Sequence, residues 1–238
     1  MRAIRLIPVF VLALFTVAMP LRAELTAGAG LSLAWPQGDF SEQVNFAWGG
    51  GGRVGWAFAQ ESAVAPVLFA DLGYLNYGRE RRTEPFSLTI PDVVVDVVTD
   101  NYMILFSPGL SVGVRRGPVR PYGEVFGGLT YIATRTKIEN HGFSGNDDEI
   151  AASTNQSDFT WNFGVGGGLQ IPVWMRKEMQ KGELNEALID IKLGYLFGGN
   201  AEYLKKGSIE RNLGSVTYDT VESATDMFVV RIGATFNF

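Results

Sequence analysis

The last twelve residues of the chain, Met227–Phe238, constrain its fold more than any other stretch. Counting back from the carboxyl end, every second residue is apolar, namely Phe238, Phe236, Ala234, Ile232, Val230 and Phe228. Successive side chains of a strand point to opposite faces, so this alternation predicts a strand with one apolar face and one polar or small face. An aromatic residue at the very end of such a strand suits the headgroup level of a membrane. The stretch therefore predicts a strand whose apolar face meets lipid.

The amino terminus has the pattern of a secretory signal peptide. Arg2 and Arg5 precede an apolar run from Leu6 to Met19, and Ala23 supplies a small residue at the expected cleavage point. The run is shorter than the ~20 apolar residues that a membrane-spanning helix needs. We therefore predict a signal peptide over residues 1–23 and a single domain over residues 24–238.

Composition excludes several classes of protein. The chain has no cysteine, so neither a disulfide framework nor a cysteine-anchored lipoprotein is possible. The formal net charge is −5, and it becomes −8 once the three arginines of the predicted leader are removed. The mature chain therefore has no net positive charge with which to bind nucleic acid. Beyond the leader, no run is apolar and long enough for a transmembrane helix, although strands of a membrane barrel give only a weak hydropathy signal. The 29 glycines suggest close packing or bends in a curved sheet.

The alternation of the terminal strand recurs seven times upstream. The predicted strands cover residues 25–35, 46–58, 68–74, 102–114, 124–133, 159–171 and 189–197. Long polar segments alternate with shorter returns, and the long ones cover residues 36–45, 78–100, 135–158 and 198–226. This rhythm predicts an all-β fold, an eight-stranded antiparallel up-and-down transmembrane β-barrel with four long external loops and short periplasmic turns. Within the second long segment, Ser87–Thr99 is rich in valine and is expected to continue as strand above the membrane.

The residues opposite the apolar face indicate whether the apolar face lines the interior of the barrel or covers its outside. A soluble lipocalin-type barrel is apolar inside, whereas a membrane barrel is apolar outside. Here the opposite face consists mainly of Gly, Ser, Thr and Asn, which fit the interior of a narrow eight-stranded cylinder that side chains just fill. Six charges lie among them, and we predict that they form a lumen charge network: Arg53, Asp71, Glu124, Asp190, Lys192 and Arg231. A salt-bridged plug is favoured over an ion-selective lining, because an unpaired charge in such a lumen is costly.

Residues 24–238 resemble the small OmpA/OmpX-type outer-membrane β-barrel superfamily. The resemblance is carried by Met227–Phe238, by Leu25–Trp35 with the turn that follows it, and by Ile189–Phe197. The terminal strand is similar to the insertion signal of bacterial outer-membrane barrels, so the resemblance implies insertion by the barrel assembly machinery. It also implies an outer-membrane location with both termini in the periplasm, contact with outer-membrane lipids and lipopolysaccharide, and no cofactor. No peptidoglycan-binding module is implied, since nothing follows the barrel.

A glycine motif in the second strand has an alternative interpretation. Gly50, Gly52 and Gly55 match the spacing of the dinucleotide fingerprint, and Asp71 lies about twenty residues further on, as that motif requires. No helix follows Gly55, however, and the motif has no meaning outside a strand–turn–helix context. The glycines are interpreted as part of the lumen and wall.

The third long segment contains the remaining candidate chemistry. His141, the single histidine, lies near Ser144 and Asp147, so a loop-borne catalytic site is conceivable. Nothing in the pattern sets its geometry, and a lone histidine in a polar loop is more often without a special role. The run Asn146–Glu149 could bind Ca²⁺, but it lacks the spacing of a calcium loop and is interpreted as solvated. No catalytic residue and no metal ligand are assigned.

Three functional hypotheses remain open. The leading one is a non-enzymatic, monomeric, porin-like envelope protein with a structural or surface-interaction role, either envelope integrity or adhesion through the four long segments. The second is a narrow OmpW-like channel for small or hydrophobic solutes. The third is a loop-borne lipid-modifying enzyme or protease that uses His141.

Overall fold

The structure, a computed structural model, describes most of the chain. It covers residues 24–58, 62–87, 90–140, 149–176, 182–204, 210–212, 215–217 and 219–238. The predicted signal peptide, residues 1–23, lies outside these ranges.

Eight antiparallel strands close into a barrel, which confirms the predicted fold. In chain order they are β1 (Glu24–Pro36), β2 (Ala47–Ala57), β3 (Val64–Ser87), β4 (Ile90–Val114), β5 (Arg120–Asn140), β6 (Glu149–Met175), β7 (Glu186–Gly198) and β12 (Met227–Asn237). Neighbours in the chain are neighbours in the sheet, and β1 also pairs with β12, with Gly30 opposite Gly233. Closure leaves no free edge at this level of the sheet, and this is the condition for a sheet to cross lipid.

Short elements cluster at one end of the barrel. The helix α1 (Asp39–Gln43) follows β1, and four short strands lie between β7 and β12: β8 (Asn200–Leu204), β9 (Glu210–Asn212), β10 (Ser215–Thr217) and β11 (Thr220–Ala224). β8 pairs with β11 and β9 with β10, both antiparallel. We call this the loop end, and the opposite end, where β1 begins and β12 finishes, the terminal end.

Four of the barrel strands are much longer than the others. β3, β4, β5 and β6 contain 21 to 27 residues, whereas β1, β2, β7 and β12 contain 11 or 13. About 9–11 residues suffice for a strand to cross a bilayer. The long strands therefore extend beyond the barrel at the loop end, as a protruding sheet made of residues 78–87, 90–100, 135–140 and 149–158.

The protruding sheet differs from the expectation of polar loops over residues 78–100 and 135–158. The described parts of both segments are strand, and the expected extension over Ser87–Thr99 falls, where it is described, within this larger sheet. The physical reason is that valines and threonines favour strands whatever the mean polarity of the segment. Cross-strand pairs add to this, since Arg81 binds Asp96 at 2.7 Å and Thr83 donates to the same carboxylate at 2.7 Å.

Apolar side chains face outward along the barrel wall. Leu31 is 71% exposed, and Phe163, Ile191 and Phe236 are also exposed. The side chains that alternate with them, such as Asn162, are buried inside. A soluble barrel has the opposite arrangement, so this wall is built to contact hydrocarbon.

Aromatic rings form a belt around the outside near the loop end. Tyr74 stacks on Tyr102 at 5.6 Å between ring centroids, Tyr131 lies 6.3 Å beyond it, and Phe159 lies 4.7 Å from Tyr131. Such belts mark the interface between hydrocarbon and headgroups. The belt therefore places the membrane boundary between the barrel wall and the protruding sheet.

Candidate functional site

Three cations and two carboxylates meet in the barrel lumen. Arg53 of β2 binds Asp71 of β3 through two hydrogen bonds, of 2.6 and 3.1 Å, and reaches Glu124 of β5 at 2.8 Å. The ammonium of Lys192 on β7 lies 3.3 Å from Asp71 and 3.0 Å from Glu124. Arg231 of β12 donates to Asp71 at 2.9 Å. We call these five residues the ionic cluster.

The ionic cluster is largely shielded from solvent. The Glu124 side chain has no exposed surface, and the other four are 13–16% exposed. Desolvating charges costs several kcal/mol for each ion unless close partners and hydrogen bonds compensate. The guanidinium of Arg53 also lies 3.8 Å from the ring centroid of Phe69, a favourable cation–π contact. With three cations and two anions, the cluster carries one net positive charge.

A glycine in the wall makes room for one of the cluster cations. The guanidinium of Arg231 lies over Gly51 of β2, and a Cβ at that position would collide with its Nη2 and with the backbone oxygen of Leu72. Arg231 also donates from Nε to the Ser32 hydroxyl at 3.3 Å. The lack of a side chain at Gly51 thus allows Arg231 to reach Asp71 across the lumen.

The sixth predicted lumen charge, Asp190, lies apart from the ionic cluster. Its carboxylate accepts hydrogen bonds from Tyr122 at 2.7 Å, from Gln170 at 2.9 Å and from Thr235 at 3.2 Å. These partners are neutral, and they lie on the terminal-end side of the cluster. The structure thus brings five of the six residues together and gives Asp190 a separate polar layer.

Apolar side chains fill the lumen between the ionic cluster and the loop end. We call this group the apolar plug; its members are Leu75, Tyr77, Met103, Leu105, Ile132, Leu196 and Met227 from the barrel strands, with Phe40, Val44, Ala201 and Tyr203 from the segments above them. The alternation did not predict this plug, because the inward face was expected to consist mainly of small or polar residues. The available signal was the loss of alternation near the loop end, where neighbours such as Tyr74 and Leu75 are both apolar.

A lid, which we define as α1, β8 and β11, covers the plug at the loop end. Phe40 of α1 is fully buried, and its ring centroid lies 6.0 Å from that of Tyr77 and 5.2 Å from that of Tyr203. The Tyr203 hydroxyl is 2.9 Å from the Ser223 hydroxyl, which joins β8 to β11. Burial raises the pKa of Tyr203, so this hydroxyl keeps its proton and its hydrogen bond.

Asp226 anchors the lid segments to the barrel. Its carboxylate accepts a hydrogen bond from the Gly198 amide at 2.9 Å, and its backbone oxygen accepts one from the Gln37 amide at 2.9 Å. The connection after β1 and the connection after β7 are thereby held against the start of β12. Hydrogen bonds to Asp226 thus hold the lid against the barrel.

A cavity of about 80 Å³ remains between the ionic cluster and the apolar plug. Its polar lining comes from Ser32, Asp71, Ser107, Glu124, Lys192 and Arg231, and its apolar lining from Leu75, Leu105, Phe126, Leu196 and Val229. The sequence pattern did not predict this cavity.

Other predicted sites have different outcomes. Gly50, Gly52 and Gly55 lie within β2, Trp56 and Ala57 continue that strand, and Asp71 is engaged by Arg53, so the dinucleotide motif is absent. The candidate catalytic group at His141 and residues 146–148 of the candidate calcium run lie outside the described residues. Among the residues that the structure describes, no three acidic or histidine side chains are grouped in a way that could hold a metal ion.

A family comparison identifies this architecture. The model of the outer membrane protein β-barrel domain matches residues 8–214 of the chain. The chain belongs to this family. Within the described ranges, no helix has the length and apolar character to cross a membrane. No curated protein matches the sequence.

Several solved outer-membrane structures are similar to this outer membrane barrel. A major outer membrane protein from Thermus thermophilus is 12% identical, with a TM-score of 0.46, over 90% of this chain and 99% of that chain. Ail of Yersinia pestis is 12% identical, with a TM-score of 0.39, over 92% and 100%. Neisserial surface protein A is 14% identical, with a TM-score of 0.38, over 90% and 95%.

The outer membrane barrel has a second ionic group near its terminal end. Arg120 of β5 binds Glu186 of β7 through two hydrogen bonds, of 2.8 and 3.0 Å, and Asn237 of β12 donates to the same carboxylate at 3.0 Å. Arg115 forms an ion pair with Glu24 of β1. The pair Arg115–Glu24 connects the end of β4 to the start of β1 across the lumen, and Asn237 connects β12 to the adjacent strand β7. These residues were not among the lumen charges predicted from the alternation.

The predicted insertion signal lies on the lipid-facing wall of the outer membrane barrel. Phe228, Ile232 and Phe236 of β12 are exposed to the outside, on the face expected from the alternation. The amide of Phe238, just beyond β12, donates to the backbone oxygen of Leu25 at 2.9 Å. The last residue therefore takes part in closing the barrel.

Proposed function

We propose that this outer membrane barrel is a non-enzymatic, monomeric envelope protein that does not conduct. In this proposal the barrel anchors the chain in the membrane, with both termini in the periplasm, and the protruding sheet makes contacts outside. The observation that carries the proposal is the closed lumen, in which the ionic cluster is followed by the apolar plug and its lid.

The closed lumen supports an anchor better than a channel. An eight-stranded barrel has an interior that side chains just fill, so little space is left for water. Here the ionic cluster joins five strands across that interior, and Phe40 covers the apolar plug above it. An ion crossing the plug would lose its hydration without finding polar partners.

The protruding sheet supports a role in surface contact. The pairing of β2 with β3 ends at Trp48 opposite Asn76, so residues 78–87 of β3 have no strand partner on that side within the described part of the chain. Such an edge offers free backbone groups that can pair with an extended peptide. Arg79 and Arg82, with exposed side chains, lie along this edge and give it polar surroundings.

Assembly and lipid contacts complete the proposal. The barrel assembly machinery would recognise Phe236 and Phe238, because these residues end the last strand with aromatic side chains. The apolar wall contacts outer-membrane lipid. Lipopolysaccharide would meet the wall at the aromatic belt, where Tyr74, Tyr102 and Tyr131 place hydroxyl groups near the boundary.

A narrow OmpW-like channel for small or hydrophobic solutes is the second candidate. The observation that favours it is the cavity above the ionic cluster, whose lining is partly apolar. It requires both the lid and the ionic cluster to open. A loop-borne enzyme centred on His141 remains a hypothesis without support from the described residues.

Conductance measurements test the proposal. The purified barrel, with folding verified by the different gel mobility of heated and unheated samples, is inserted into planar lipid bilayers. We expect no stable conductance steps under an applied voltage. Reproducible steps from folded protein would contradict the closed lumen and favour the channel. A known porin inserted under the same conditions shows that the assay detects a pore.

A further inference from the structure

The cavity between the ionic cluster and the apolar plug has two chemically different walls. On its terminal-end side lie the charged groups of Asp71, Lys192 and Arg231. On its loop-end side lie apolar side chains, among them Leu75 and Leu196. A cavity with only one kind of wall would select either water or an apolar molecule. This cavity suits a small molecule with a polar head and an apolar tail.

The charged wall offers hydrogen-bond donors in excess. Arg231 uses Nε for Ser32 and Nη1 for Asp71, while its Nη2 lies over Gly51. The ammonium of Lys192 has three N–H donors, and its described partners are Asp71 and Glu124. The ionic cluster also carries one net positive charge. An added acceptor with a negative charge would satisfy these donors and neutralise the cluster.

The size of the cavity limits the ligand. A dry apolar cavity of about 150 Å³ binds benzene, a molecule of six carbon atoms. The cavity here has about half that volume, about 80 Å³. By proportion it holds roughly three non-hydrogen atoms without rearrangement, and a molecule of four or five requires a small outward shift of the apolar wall.

We propose that this cavity binds a small monocarboxylate with a short alkyl chain, such as propionate. The carboxylate faces Lys192 and Arg231, where charge-assisted hydrogen bonds are available, and the alkyl chain packs against Leu105, Leu196 and Val229. Binding requires transient opening of the lid at Phe40, and it requires no passage through the ionic cluster. The site is therefore compatible with a barrel that does not conduct.

Methyl NMR spectroscopy tests the site directly. The folded full-length barrel is prepared in lipid nanodiscs with labelled leucine and valine methyl groups, and propionate is added stepwise. We expect saturable shifts at the cavity methyl groups of Leu75, Leu105, Leu196 and Val229. The lipid-facing methyl groups of Leu31 and Leu72 are the internal control, and they should not move.

Related probes separate the two parts of the proposal. 1-Propanol has the same chain without the charge, and propylammonium has the opposite charge, so both should bind at least about tenfold more weakly than propionate. Chloride and formate test whether the apolar wall contributes. Equal binding of chloride and propionate would reduce the site to a general anion site and overturn the proposal. Equal binding of propanol would overturn the role of the charge.

Two variants connect the shifts to the cavity. Val229→Phe fills the cavity and leaves the ionic cluster intact, so propionate binding should be lost while the heat-dependent gel mobility of the folded barrel is kept. Lys192→Met removes one donor and should weaken binding by about tenfold if that variant folds. Unchanged binding by folded Val229→Phe would place the ligand elsewhere and would contradict the assignment.

Discussion

Arg53 and Asp71 face each other on neighbouring strands, and the guanidinium binds the carboxylate through two hydrogen bonds of 2.6 and 3.1 Å. The same carboxylate accepts Arg231 and lies within 3.3 Å of Lys192. One acidic side chain thus contacts cationic groups from three other strands. The stability of the barrel should depend on this junction more than on any exposed ion pair.

Replacing Arg53 with Met tests that dependence. Asp71 and Glu124 would remain in the lumen without their strongest partner, and breaking a buried pair in this way typically costs about 3–5 kcal/mol. Urea unfolding in lipid vesicles, followed by gel mobility, measures the loss. The control is Arg82→Met, because Arg82 and Glu80 form a pair that is 43% and 44% exposed and should contribute about 0.2–1 kcal/mol. Equal losses in the two variants would show that the ionic cluster has no special importance.

Gly51 and Gly52 offer a matched pair of substitutions in one strand. A methyl group at Gly51 would collide with the Arg231 guanidinium, whereas at Gly52 its nearest neighbour would be the Gly28 oxygen at 3.6 Å. We expect Gly51→Ala to lower the free energy of unfolding by about 1–3 kcal/mol and Gly52→Ala to change it much less. The reverse order in the same unfolding assay would mean that Arg231 does not lie over Gly51.

Removing Phe40 should open the lid without opening the barrel. Phe→Ala substitutions in a core cost about 3–5 kcal/mol, and here the cost falls on α1 and β8, which lie outside the barrel wall. Hydrogen exchange of residues 37–44 and 200–204 should become faster in Phe40→Ala, while exchange in β7 and β12 stays slow. The lipid-facing variant Phe46→Ala is the control. Faster exchange throughout the barrel would indicate that the lid and the wall unfold together.

The β3–β4 half of the protruding sheet should be removable. Gly78 pairs with Asn101, so residues 79–100 can be replaced by an Asn-Gly turn at that point of the β3–β4 pair. The shortened chain should still fold and reach the outer membrane, because β3 and β4 remain paired through the membrane. Adhesion of cells to surfaces or host material, compared with the intact chain, should fall severalfold. Unchanged adhesion by the shortened chain would exclude the β3–β4 half of the sheet, with its free edge, from the proposed function.

The last residue offers a test of assembly. Phe238→Ala should reduce the amount of folded barrel in the outer membrane severalfold, because its aromatic side chain ends the strand that the assembly machinery is proposed to recognise. The control is Phe163→Ala, a lipid-facing phenylalanine of β6 that lies outside the terminal strand. Fractionation of membranes with gel mobility measures both. The proposed signal would be refuted by equal amounts of the two variants.

The strands and their orientation could be predicted from sequence because alternation is a local property. Each residue of Phe159–Ile171, for example, reports its own face relative to its neighbours. Near the loop end this local signal fails, since Ile132 follows Tyr131 and Leu196 follows Tyr195, with one of each pair inside and one outside. The outer residue of each pair is apolar because it faces lipid. The inner residue is apolar because it packs in the plug.

The pairing of the lumen charges could not be predicted in the same way. Which inward residues meet depends on the stagger between strands and on the approach of side chains across the lumen, and neither is visible in a single strand. Lys192 and Asp190 are two positions apart on one strand, yet the first meets Glu124 and the second meets Tyr122. The five members of the ionic cluster were found from sequence, whereas their partners and the second ionic group required the structure.

The ionic cluster has a mechanical consequence. Uneven lateral pressure on a narrow barrel first flattens its cross-section. Contacts that cross the middle of the lumen oppose that change of shape. Arg53, Lys192 and Arg231 converge on Asp71 from three directions, so compressing the cylinder along any one of them pushes charged groups into each other. The cross-section should therefore stay round in bilayers of differing thickness and composition.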